Sequence, residues 1–122
     1  MYVTPIKSDN EPLQTETGEI IFELIGKAVP TTPSANHSLA RIIIPSGKSS
    51  EPHYHKVSQE TYFILEGEGQ MCVSGEEFIL KPGQACHIEP EEIHRIKNQN
   101  ENDLIFLAVC VPPWVPEDSF GV

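Results

Sequence analysis

The chain has 122 residues, 18 of them acidic and 8 basic, with a formal net charge of -10 and a hydrophobic fraction of 39%. That length supports one domain with a single core and one site. The charge balance argues against a nucleic-acid partner, because phosphate binding needs clustered Lys and Arg to displace counterions; no run of about 20 apolar residues is present to span a membrane as a helix.

The opening MYVTPIKSDNEP lacks a basic region followed by an apolar run, so no secretory leader is expected and the cytoplasm is the expected compartment. Residues 1–19 are polar and proline-bearing and read as an N-terminal arm. Beyond them no 3.6-residue apolar stripe is sustained. Short runs rich in β-branched and aromatic residues recur instead, which predicts strands at 20–26, 38–44, 61–66, 70–74, 77–80, 85–88, 94–97 and 104–111. They are separated by turn chemistry: Pro45-Ser46-Gly47, Gly67-Glu68-Gly69, Ser74-Gly75, Pro82-Gly83 and the polar stretch 98–102. Strands this short, this closely spaced, predict an all-β sandwich or barrel. Residues 113–122 read as a C-terminal arm, since Pro112, Pro113 and Pro116 cannot donate to a central ladder, and Trp114 favours its packing. Cys72, Cys86 and Cys110 form no CxxC pair and sit among apolar residues, as buried reduced thiols do.

The chemistry concentrates in EPHYHKVSQETYFILEGEG, residues 51–69. Strand side chains alternate faces, so His53 and His55 point the same way with Cα atoms about 6.5 to 7 Å apart. Two imidazoles at that spacing can converge on one ion. A turn near 56–59 that folds the next strand back antiparallel would return Glu60 to their side. In the predicted strand His94-Arg95-Ile96-Lys97, alternation puts His94 and Ile96 inward and the two cations outward. Three imidazoles and a carboxylate suit one divalent transition metal, namely iron, manganese, nickel, cobalt, copper or zinc, rather than calcium or magnesium. An ion that prefers six donors keeps two positions for a ligand.

The run Gly47, five residues, His53, one residue, His55, four residues, Glu60, six residues, Gly67 resembles the first motif of the cupin superfamily. GQACHIEPEEIHRIKN resembles the second through Gly83, Pro90, His94 and Asn98, with Glu89 where proline is commonest and Glu91 where glycine is usual. The resemblance spans about residues 35–112. It implies a single-domain cupin: a double-stranded β-helix, or jelly-roll barrel, with a metal held in its interior by His53, His55, Glu60 and His94. It also implies a homodimer that exchanges or packs its terminal strands.

Around the ligands, Tyr62 shares the inward parity of Glu60 and either donates to a bound molecule or fills the barrel. Arg41, in the strand leading to the first motif, is the candidate for holding an anion. Glu89, Glu91 and Glu92 are expected to rim the mouth and to favour a neutral or weakly charged small molecule. The expected function is a metalloenzyme acting on a small oxygen-rich molecule. No free inward carboxylate stands out as a general base, which favours dioxygenase-type oxidation over isomerase, lyase or decarboxylase chemistry. A non-enzymatic binding or sensor module is the alternative.

Overall fold

The structure, a computed structural model, describes residues 1–6 and 11–122; residues 7–10 of the expected N-terminal arm lie outside the described residues. The described strands are β1 (Leu13–Gln14), β2 (Ile20–Ile25), β3 (Ser38–Ile44), β4 (His53–Tyr54), β5 (Gln59–Glu66) and β6 (Gly69–Val73). They continue with β7 (Glu76–Leu80), β8 (Ala85–Ile88), β9 (His94–Lys97), β10 (Leu104–Val111) and β11 (Phe120–Gly121). Every strand expected from sequence is present with bounds shifted by no more than two residues. The additional strands β1, β4 and β11 are two residues long. Periodicity cannot announce so short a strand, because it exists through its partner's hydrogen bonds.

Two antiparallel sheets make the barrel, one in the order β1-β2-β3-β10-β5-β8 and the other β11-β4-β9-β6-β7. The long central strands are hydrophobic on alternate residues, as a half-buried antiparallel sheet requires. In β3 the inward set is Ser38, Ala40, Ile42 and Ile44, and in β10 it is Leu104, Phe106, Ala108 and Cys110. Ile44, Ile64, Met71, Ile96, Leu104 and Phe106 are fully buried and form the heart of the core. Each such side chain contributes about 1.5 to 3 kcal/mol relative to exposure. Gly69 opens β6 where a Cβ would stand 2.5 Å from Ile96 Cδ1, so the missing side chain lets the two strands close on that isoleucine.

Asn98 seals the same end. Its buried Nδ2 donates to the carbonyls of Ile44 at 2.9 Å and Asn102 at 2.7 Å, while its Oδ1 accepts from the Asn100 N–H at 3.0 Å. Three bonds from one buried amide pin the β9–β10 loop. Among the described residues no helix is long and apolar enough to cross a membrane.

The path from β4 to β5 differs from the expected hairpin. β4 pairs with β9 and β11, whereas β5 lies in the other sheet between β10 and β8. Residues 55–58 therefore carry the chain across the barrel, and Glu60 reaches His53 from the facing sheet.

Candidate metal centre

Four side chains converge at one end of the barrel. His53 and His94 stand opposite each other in the β4–β9 register, His55 follows β4, and Glu60 comes from β5. Donor atoms of His53, His55, Glu60 and His94 all lie within 4.8 Å of one another. His55, Glu60 and His94 are buried and His53 is half-buried. The structure thus brings together the whole set that the sequence marks.

Each imidazole is oriented by its outer nitrogen. Nδ1–H of His53 donates to the Glu51 carbonyl at 2.7 Å, that of His55 to the Asp118 carbonyl at 2.7 Å, and that of His94 to the Glu92 carbonyl at 3.0 Å. A carbonyl can only accept, so these contacts place the proton on Nδ1 and leave each Nε2 with a lone pair. Those lone pairs gather around a carboxylate: Glu60 Oε1 lies 3.1 Å from His94 Nε2 and 3.5 Å from His55 Nε2. The longer separation leaves His55 Nε2 buried without a hydrogen-bond partner. Acceptors packed this closely repel unless a cation sits among them. Protons can fill that role, and so can a metal ion, for which neutral imidazoles tied back to carbonyls are the usual arrangement. The residues present therefore fit a divalent transition metal.

In the metal-free site the electrostatics favour an ionised Glu60 and a proton on the facing His55. Burial pushes the Glu60 carboxyl up, but contacts to His55 and His94 outweigh it and hold the group below the usual carboxylate range. Burial, reinforced by His94, depresses His53 to about 4, so its imidazole is neutral at physiological pH. Burial also lowers His55, yet the facing Glu60 carboxylate and Asp118 raise it overall.

Three supporting groups match no motif position. Cys110, opposite Glu60 in the β10–β5 register, donates from Sγ to Glu60 Oε2 at 3.1 Å. Burial and the same carboxylate push its thiol up, which keeps it a neutral donor. Its even parity in β10 is the only sequence signal for that role. Cys110 is buried as expected, whereas Cys72 and Cys86 are only half-buried, and all three are free thiols.

Asp118, on a single 3-10 turn at Pro116–Asp118, accepts through its carboxylate from the N–H groups of Lys56, Val57 and Ser58 at 2.9 to 3.2 Å. Phe120 then pairs with Tyr54, their rings stacked at 5.3 Å. The C-terminal arm is thus docked on its own chain's metal-motif strand. Proline content gives no hint of that partner.

Glu91 replaces the usual glycine and adopts a left-handed φ of 72°, while its N–H donates to the His55 carbonyl at 2.6 Å. The backbone shape is kept at the cost of strain on a side-chain-bearing residue.

A cavity of about 330 Å³ opens on the cluster. Its wall includes Ala40, Ile42, Tyr62, Ala108 and Trp114 together with Glu11, Glu19, Glu23, Glu51 and Glu60. Tyr62 is buried, with its ring 6.0 Å from His94 and 4.7 Å from Phe106. The ring thus fills the barrel, one of the two roles expected of it, and the side chain lines the cavity.

Two expectations need correction. Arg41 occupies an outward position of β3, between Phe22 and Leu107 in register, and takes no part in the cavity wall. Odd parity in a strand whose even residues fill the core settles its direction. The acidic rim is also built from other residues than Glu89, Glu91 and Glu92. Glu92 is occupied within its loop, accepting from the Glu89 N–H at 2.9 Å and from Ser74 Oγ at 3.1 Å. Sequence reasoning further missed Glu19, which is 6% exposed and lines the cavity. It supplies the inward carboxylate whose apparent lack favoured oxidative chemistry.

A family model described as "Cupin domain" matches residues 40–110. An uncharacterized protein of Methanocaldococcus jannaschii is 36% identical over 109 residues, 89% of this chain and 86% of that protein. A protein of Thermotoga maritima called oxalate-binding protein is 39% identical over 72 residues, 59% of this chain and 60% of its own length. The crystal structure of a Thermotoga maritima protein described as a predicted oxalate decarboxylase superposes with a TM-score of 0.71 at 30% identity, covering 90% of this chain and 93% of that one.

Proposed function

Because this chain belongs to the cupin family, we propose that His53, His55, Glu60 and His94 hold one divalent transition metal, against which the cavity binds a small oxygen-rich molecule of little or no net charge. The observation that carries this reading is the cavity wall, which joins the donor cluster to four further glutamates and, among the described residues, contains no Lys or Arg. When bound, an ion of the iron, manganese, nickel, cobalt, copper or zinc type acts as a Lewis acid on a carbonyl or hydroxyl oxygen.

The residues of the chain set the rest. A divalent ion and Glu60 together leave one positive charge, which Glu11, Glu19, Glu23 and Glu51 more than offset when ionised. A dianion would meet carboxylates with no neutralising side chain among the described residues, whereas an uncharged molecule meets none of that repulsion. Ala40, Ile42 and Ala108 offer apolar contact to its carbon atoms, while Ser38 and Tyr62 offer hydroxyl groups. The test is calorimetric titration of zinc-loaded protein with dihydroxyacetone and with oxalate. The neutral compound is expected to bind at least ~10-fold more tightly, and the reverse order would refute the charge argument.

A binding protein without turnover is the second reading, supported by the name of the Thermotoga maritima oxalate-binding relative. Turnover of any bound compound would exclude it. The reading extends to a homodimer formed through the outer face of the six-stranded sheet. There Ile43 and Ile105, Leu107 and Phe63, and Leu39 and Val109 stand in register, and Phe63 and Leu65 are exposed. Sedimentation velocity on wild type and Phe63→Lys tests it: the variant should sediment as a monomer.

A further inference from the structure

Glu19 follows Gly18 just before β2, in a polar stretch that gives no sign of burial. Its backbone is fixed by Thr15: its N–H donates to Thr15 Oγ1 and its carbonyl accepts from the Thr15 N–H, both at 3.0 Å. The side chain is 6% exposed and lines the cavity shared by His53, His55, Glu60 and Tyr62. Two of the other carboxylates nearby have partners: Glu60 is held by His94 and Cys110, and Glu23 accepts from the Ala28 N–H. Among the described residues no hydrogen bond or ion pair engages the Glu19 carboxyl group.

We propose that Glu19 is a catalytic residue of this cavity, taking a proton from a carbon next to a carbonyl group of the bound molecule and returning it to a neighbouring carbon. This rests on the ligand class proposed above and deepens it, because it makes the chemistry a redox-neutral proton transfer. The balance is closed. A C–H bond of a hydroxyl-bearing carbon breaks and its electron pair stays on the ligand as an enolate, while the proton forms an O–H bond on Glu19. That bond then breaks as a new C–H bond forms at the former carbonyl carbon, and the hydroxyl proton passes to the former carbonyl oxygen, leaving the carbonyl on the first carbon. Hydrogen and carbonyl exchange places, and no oxidant or reductant is consumed.

The surroundings suit a group that must both accept and donate. In the metal-free protein, burial first, then Glu60 and Glu51, push the Glu19 carboxyl up to about 7, so both forms are present near neutrality. The ionisable groups around it are Glu60 and Tyr62 on β5, Glu51 and His53 at β4, and Glu23 on its own strand. Among the described residues none of these is a permanent cation, and an ion on the neighbouring donors would draw the carboxyl down from its metal-free value.

Glu19→Gln keeps the shape and removes the proton carrier. Zinc-loaded wild type in deuterated water is expected to exchange the carbon-bound hydrogens of dihydroxyacetone, followed by proton NMR. The variant should lose at least ~100-fold in that rate while binding dihydroxyacetone within ~3-fold of wild type. Equal rates in the two proteins would overturn the proposal, as would a wild type that binds the compound and exchanges nothing. Failure to bind at all would refute the ligand class and take this proposal with it. The metal-free protein gives a readout independent of turnover: an infrared band of a protonated carboxyl group at neutral pH, lost in Glu19→Gln. A wild type without that band would overturn the assignment.

Discussion

The two ends of the barrel are built from the same strands with opposite results. Along β3 the inward residues run from Ser38 and Ala40 to Ile42 and Ile44, and along β10 from Cys110 and Ala108 to Phe106 and Leu104. Along β5 they run from Glu60 through Tyr62 to Ile64, and along β9 from His94 to Ile96. One end is large, apolar and filled; the other is small, polar and hollow. The cavity is therefore a gradient of side-chain size along shared strands, and the functional end draws its rigidity from the filled one. It also carries features that work against stability: a buried carboxyl without a partner among the described residues, crowded acceptors and a left-handed Glu91.

The comparison is broken most forcefully at the filled end. Phe106→Ala, at a fully buried position, is expected to cost about 3 to 5 kcal/mol in urea denaturation while leaving zinc affinity unchanged. A matching loss of affinity would show that the two ends are not separable. At the hollow end the sign reverses. The Glu19 carboxyl, raised from 4.5 to about 7, holds its proton longer folded than unfolded. Its stability contribution is complete below pH 4.5 and erodes as pH rises toward 7. Glu19→Gln escapes that erosion, so metal-free variant should exceed wild type by about 3 kcal/mol at about pH 8 and match it near about pH 4. Urea melts at the two pH values check this.

Smaller effects sharpen the picture. Cys110→Ala deletes the thiol that orients Glu60, and competition against a chelator should show roughly a tenfold loss of zinc affinity. Glu91→Gly relieves the positive φ but adds unfolded-state freedom, so calorimetry should find a net gain of only about 0.5 kcal/mol.

Much of this division can be read from sequence, and the exceptions share a cause. Alternation in 38–44 and 104–111 gives strand, face and core together, because one buried face imposes period two on every residue. The spacing of His53, His55 and Glu60 works likewise, since a shared ion constrains residues close in the chain. Glu19, Cys110 and Asp118 leave no such trace. Glu19 is buried by a fold partner rather than by its own strand's pattern, Cys110 resembles any apolar core position, and Asp118 meets His55 across 63 residues. Arg41 shows the opposite error, in which residue type suggested a role that parity in its own strand denies.

The claim on which the rest depends is that the four convergent donors hold an ion. Elemental analysis of protein purified without added metal, run beside His94→Ala, tests it most directly. The wild type should retain about one transition-metal ion per chain and the variant, short of one imidazole, only traces. Equal metal content in the two proteins, or a wild type that takes up none of the six metals when each is supplied, would contradict it.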